Sequence, residues 1–172
     1  KRAIICGGAG TGKTMLALQK ARQLAGSGEQ TLLICFNRLL SEHLKRIAEK
    51  TENLLAMDYH ELCHWKVREV HVSHNIDLLA QAKSESIGGD IWKHHYPKAL
   101  ELSLEYPVKK FDAIIVDEGQ DFLPHYWFSI EMLLHDLKES YFYIFHDPNQ
   151  AIYNQNLESY PIRDEPFQLL IN

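Results

Sequence analysis

The sequence predicts an α/β domain with a mainly parallel sheet, and three observations carry that expectation. Short apolar runs alternate with helical segments along the chain, a glycine-rich turn joins the first run to the first helix, and two later runs end in clusters of acidic and amide residues. A length of 172 residues suits one domain with a proper core, and 45% hydrophobic with 24% charged residues is ordinary globular composition.

The elements follow in order. RAIIC (2–6) reads as a buried strand, followed by a glycine turn and a helix from about Lys13 to Ala25. SGEQ turns the chain into a second strand, TLLICF (31–36), and a helix from about Leu39 to Glu49 places Leu40, His43, Leu44 and Ile47 on one face. LLAM (54–57) is a third strand, and a helix begins near Tyr59. Residues 65–110 read as a helical insertion around IDLLAQA and DIWKHHYPKALELSL, the latter interrupted by Pro97. The pattern resumes with a strand in FDAIIV (111–116), a helix from about Pro124 to Leu137 and a strand in YFYIF (141–145). DPNQ then turns into a short helix, and FQLLI (167–171) is the last strand.

No apolar run approaches the ~20 residues that span a bilayer, and RAIIC is too short for a signal-peptide core. Cys6, Cys35 and Cys63 are odd in number and far apart, which suggests buried free thiols in a reducing, cytoplasmic setting. The net charge of −5 gives no basic footprint, although Lys45, Arg46, Lys50, Lys66 and Arg68 are candidates for a local one. The chain opens on a strand without an initiator methionine, as a piece of a longer protein would.

Three stretches carry chemistry. GGAGTGKT (7–14) satisfies G-x-x-x-x-G-K-[ST] between a strand and a helix, the context that motif requires. Its backbone from Gly8 through Ala9, Gly10, Thr11 and Gly12 can surround phosphate oxygens, and the helix that carries Lys13, Thr14 and Met15 adds positive potential at its start. Lys13 suits the β- and γ-phosphates of ATP, and the Thr14 hydroxyl suits Mg²⁺. In IIVDEGQDF (114–122), Asp117 and Glu118 stand at the carboxyl end of a strand, where one carboxylate can hold magnesium and its neighbour can polarise water. In FHDPNQAIY (145–153), Gln150 stands at the same edge, while Asp147 and Asn149 alone would be ordinary turn formers.

HELCH (60–64) also matches H-E-x-x-H, the zinc-binding helix of many metalloproteases. A zinc enzyme needs a third protein ligand, yet Val67 and Val70 occupy the glycine and histidine positions of the extended motif, and Glu85 is a weak substitute. A zinc metallohydrolase is therefore the remote alternative.

The ordered series GAGTGKT, DEGQDF, DPNQAIY resembles motifs I, II and III of the UvrD/Rep-like superfamily 1 helicases. TLLICFNRLLSEHL looks like motif Ia, LAMDYHELC like the next DNA-contacting segment, and EPFQLLIN like the strand entering motif IV. The resemblance implies an N-terminal RecA-like P-loop ATPase domain of three layers, spanning residues 1–172. It implies that Lys13 and Thr14 bind phosphate and magnesium, that Asp117 organises the metal, that Glu118 is the general base and that Gln150 senses the γ-phosphate. Phe36, Asn37, Tyr59 and His60 would lie toward single-stranded DNA, or RNA.

Asn154, Gln155 and Asn156 replace the glycine, aromatic and Arg-Gly pair of the family's motif III, and His146 replaces a glycine. The missing aromatic weakens the case for strong unwinding and keeps open a nuclease-associated or regulatory ATPase that binds nucleic acid. The second RecA-like domain and the family's arginine fingers would lie beyond Asn172. A finger can contribute ~10³–10⁵ in turnover, so this segment, expected to be monomeric, should bind nucleotide better than it hydrolyses it.

Overall fold

The computed structural model describes residues 1–85, 89–150 and 157–169. Six strands form one sheet: β1 (Arg2–Gly7), β2 (Thr31–Cys35), β3 (Leu54–Asp58), β4 (Ala113–Val116), β5 (Tyr141–His146) and β6 (Phe167–Leu169). Their order is β3-β2-β4-β5-β1-β6, and every pairing among the described residues is parallel. β5 therefore separates the glycine-loop strand β1 from the acidic strand β4, and all their carboxyl ends share one edge.

The side-chain alternation of the strands divides the core into two layers. Leu32, Ile34, Ile114, Val116, Phe142 and Ile144 point to one face, while Leu33, Cys35, Ala113, Ile115 and Phe145 point to the other. Helices α1 (Lys13–Gly26) and α2 (Arg38–Ala48) cover the second face with Ala17, Leu18, Ala21, Leu24 and Leu44. The first face is covered by α3 (Tyr59–His74), α4 (Leu78–Glu85), α5 (Tyr96–Ser103) and α6 (Tyr126–Met132). The result is the three-layer, RecA-like α/β arrangement that the sequence predicts.

Local chemistry explains where the helices start. Asn37 caps α2 by accepting from Leu40 N at 3.1 Å. Asp58 and Glu61 form a reciprocal capping box at the start of α3, which ends on Asn75 in the left-handed conformation at φ 58°. Between α4 and α5 lies a π-helical turn, Ile91–His95, capped by Asp90.

Several expected boundaries move. The second insertion stretch is helical on both sides of Tyr96, whose N donates to Ile91 O, and Pro97 lies in the first turn of α5, directly after the π-helical turn. The helix expected over 124–137 shrinks to Tyr126–Met132, because the chain must release Phe111 N and O to Leu133 O and His135 N. The short helix after DPNQ and the altered residues 154–156 fall on or beside the undescribed 151–156; Leu157–Ser159 forms a 3₁₀ turn.

Candidate nucleotide-binding site

The glycine loop joins the end of β1 to the start of α1 at the carboxyl edge of the sheet. Gly10 and Gly12 have φ of 79° and 82°, a left-handed backbone that other residues adopt only with strain. The start of α1 has no side-chain cap and no acidic residue in its first turn, so its free N–H groups and helix dipole are left for an anion. Of the loop residues, Ala9 and Gly10 are exposed and Thr14 is half-buried; Met15 is 67% exposed. Thr11 Oγ1 donates to Gly8 O at 2.8 Å and steadies the turn.

Lys13 is buried, and its Nζ donates to Gly8 O at 3.0 Å and to Asp147 Oδ2 at 3.1 Å. Asp147, beyond β5, is fully buried and accepts from Asn149 N at 2.9 Å through Oδ1. Read alone as a turn former, Asp147 is instead the ionic partner of the P-loop lysine. The sequence shows its place immediately after a strand, but that this strand lies beside the glycine-loop strand emerges only from the sheet order. Gln150, by contrast, is exposed, and its N donates to Asp147 O at 3.3 Å.

Asp117 is fully buried at the end of β4. Its Oδ1 accepts from Glu118 N at 3.1 Å, while Oδ2 has no hydrogen-bond partner. Burial pushes its carboxyl up to about 6, with the adjacent Glu118 charge adding to the rise and the nearby Thr14 hydroxyl and Lys13 opposing it. Glu118 holds a left-handed backbone at φ 54°, unusual for a residue with a side chain and concentrated at functional sites. Gln120, buried behind it, was not singled out from the sequence. Its Nε2 donates to Glu118 Oε2 at 2.5 Å, and its Oε1 accepts from Asp147 N at 3.0 Å. His146 is also buried; its Nδ1 shares a 2.7 Å hydrogen bond with the Tyr160 hydroxyl, and burial holds its imidazole below the usual range.

An orphaned buried carboxylate oxygen near a threonine hydroxyl, beneath a cationic loop, is a donor set that fits Mg²⁺ with a polyphosphate. Thr14 and Asp117 would hold the metal, and the loop backbone with Lys13 would hold the phosphates.

The residues expected to face nucleic acid separate. Phe36 and His60 are half-buried, 5.0 Å apart between ring centroids, and line an open groove of about 940 Å³ with Arg38, Trp65, Trp92 and Lys93. Asn37 is exposed but its side chain is engaged as the α2 cap. Tyr59 is fully buried and stacked on Tyr126 at 4.4 Å, so its ring is a core group. Lys66, a candidate for a basic face, is buried too, its Nζ donating to Glu69 Oε2 at 2.9 Å and to Lys109 O. In HELCH, Glu61 serves the capping box and pairs with Lys45, and no group of three metal-binding side chains forms among the described residues.

Comparison with known families agrees with this geometry. A family model described as an AAA domain matches residues 1–156. Among curated proteins, none matches the chain. With a glycine loop, a buried lysine and a carboxylate pair gathered at one sheet edge and a family match over most of its length, the chain belongs to the AAA domain family of P-loop ATPases.

Proposed function

We propose that this domain is the ATP-binding core of a UvrD/Rep-like superfamily 1 motor that couples Mg·ATP hydrolysis to movement on single-stranded DNA. The observation that carries the ATPase reading is the convergence of Lys13, Thr14, Asp117 and Glu118 on one edge. The ordered motifs carry the motor reading. Lys13 and the loop N–H groups bind the β- and γ-phosphates, and the buried surroundings strengthen that attraction. Thr14 and Asp117 hold magnesium, which when bound offsets the charge of the phosphates. Glu118 takes the proton of the attacking water. Gln150, exposed at the same edge, senses the γ-phosphate. The groove beside Phe36 and His60 receives the strand, where stacking on an aromatic ring contributes ~1–3 kcal/mol per base. A second RecA-like domain of the same protein supplies the arginine that completes the site.

The test is a pair of variants. Lys13→Ala abolishes Mg·ATP binding in calorimetric titration, whereas Glu118→Gln binds normally and loses DNA-stimulated hydrolysis by ~10²-fold or more in the intact protein. Turnover retained in the Gln variant would show that Glu118 is not the base. Hydrolysis indifferent to single-stranded DNA would leave a P-loop ATPase and remove the motor.

A further inference from the structure

Between the phosphate-gripping lysine and the proposed base runs one unbroken set of polar contacts. Lys13 Nζ meets Asp147 Oδ2 at 3.1 Å, Asp147 N donates to Gln120 Oε1 at 3.0 Å, and Gln120 Nε2 donates to Glu118 Oε2 at 2.5 Å. The Gln120 side-chain amide spans the gap between the loop after β4 and the loop after β5. Three features make this a built arrangement. Gln120 is 1% exposed, so both ends of its amide are used where water does not compete. The amide is used in both senses, as acceptor toward a backbone N–H and as donor toward a carboxylate, a pairing that neither Glu nor Met reproduces. The 3₁₀ turn that carries it, Gly119–Asp121, is pressed onto β5: a Cβ at Gly119 would stand 2.7 Å from Ile144 Cγ2 and 3.3 Å from Phe145 O, so only glycine lets the turn approach this closely.

Glu118 needs such a hold. A free glutamate side chain rotates about three bonds, and its strained backbone at φ 54° aims the chain without fixing the carboxylate. A base contributes only while its oxygen stays within hydrogen-bond reach of the water it activates. We propose that Gln120 is a positioning residue of the ATPase reaction: its amide fixes the Glu118 carboxylate and ties it to the main chain of Asp147, the partner of Lys13. The inference rests on the ATPase reading and adds to it the residue that orients the base. It also gives the Lys13–Asp147 pair a second consequence. When phosphate draws Lys13 away, any shift of the Asp147 backbone reaches Glu118 through a single side chain.

Two variants separate the two ends of the amide. Gln120→Glu keeps an acceptor for Asp147 N but turns the donor toward Glu118 into a like charge. Gln120→Met keeps the length and removes both bonds. In the intact protein, both lower kcat for ATP hydrolysis by about 10- to 100-fold, the scale of misplacing a catalytic group by about 1 Å. KM and the dissociation constant for Mg·ATP stay within about twofold of wild type, since ground-state phosphate contacts are untouched. Gln120→Glu buries a second carboxylate against Glu118 and Gln120→Met leaves Asp147 N and the Glu118 carboxylate without their partner, so both melt earlier than wild type, and kcat is read well below both midpoints. Wild-type kcat in Gln120→Glu overturns the proposal, as does a loss of Mg·ATP affinity that parallels the loss of kcat. If the wild-type protein itself binds no Mg·ATP, the ATPase reading falls and the positioning role with it. If the wild type hydrolyses ATP and Gln120→Glu matches it, only the positioning role falls.

Discussion

Asp117 is fully buried, and its Oδ2 has no hydrogen-bond partner. Its folded carboxyl titrates near 6 against an ordinary 3.8, chiefly because burial disfavours the charged form. Between those values the folded state holds the extra proton, so stability falls as pH rises through the window and stays lower above it. A rise of that size corresponds to on the order of 3 kcal/mol at neutral pH. Asp117→Asn should therefore stabilise the metal-free protein at pH 7, by ~1–3 kcal/mol, and flatten the slope of stability between pH 4 and 6. Urea titrations in chelator across that range provide the measurement; an Asn variant less stable than wild type at pH 7 would contradict the account. The same substitution removes the proposed ligand for Mg²⁺, so a gain in stability accompanied by lost Mg²⁺-dependent nucleotide binding is the expected signature. Residue identity made Lys13, Thr14, Asp117 and Glu118 legible, because a glycine loop and a carboxylate pair are local patterns in the chain. Gln120 and Asp147 were not legible in that way. Their roles come from a contact between residues 27 apart in sequence, and neither spacing nor composition records it.

At the scale of elements, α3 shows what periodicity reveals and what it hides. Tyr59, Leu62, Cys63, Lys66 and Val70 are its buried residues, a stripe at i, i+3, i+4, i+7 and i+11. That stripe explains both corrections in this helix. Tyr59 shares a face with Leu62 and Cys63 rather than with its neighbour His60, so it packs on Tyr126 while His60 reaches the groove. Lys66 falls on the same stripe, and its ammonium is stabilised by Glu69, the Lys109 carbonyl and the Trp65 ring, 4.0 Å from its centroid. The HELCH spacing is real on this helix, but its glutamate faces back toward Asp58. Glu61 N donates to Asp58 Oδ1 at 3.0 Å and Asp58 N to Glu61 Oε2 at 3.1 Å. Asp58→Ala removes the cap from a nearly buried position and should destabilise the domain by ~1–2 kcal/mol without changing affinity for Mg·ATP. Chemical denaturation beside calorimetric titration distinguishes the two effects. A variant as stable as wild type would show that the box contributes little. Boundaries were least legible where a contact distant in sequence sets them: α6 stops at Met132 because Leu133 O accepts from Phe111 N, on the far side of β4's loop.

At the scale of the whole molecule, strand order gathers the chemistry. With β5 between β1 and β4, the turns after all three strands open on one edge, so residues 13, 117 and 147 meet despite their separation in the chain. The sequence pattern legibly implied parallel strands with helices on both faces, since each apolar run is followed by a helix-length segment. Strand order itself was not legible, since any crossover of adequate length leaves the same local pattern. This gathering makes ligand binding a test of the entire fold. At the proposed site, Mg·ATP would grip α1, β4 and the loop after β5 together and so stabilise only the folded chain. At a hundred times the dissociation constant, the gain is ~2.7 kcal/mol. For a domain of this size each kcal/mol raises the melting temperature by ~2–4 °C, so a rise of roughly 5–10 °C is expected. Lys13→Arg supplies the control: it keeps a cation beside Asp147, avoiding the loss of ~3–5 kcal/mol that an unpaired buried charge brings, yet its planar fork does not replace an ammonium in the glycine loop. This variant should melt near the wild-type temperature without nucleotide and show no rise with it. A rise equal to the wild type's would mean that the nucleotide is held elsewhere, and that the edge built by β1, β4 and β5 is not its site.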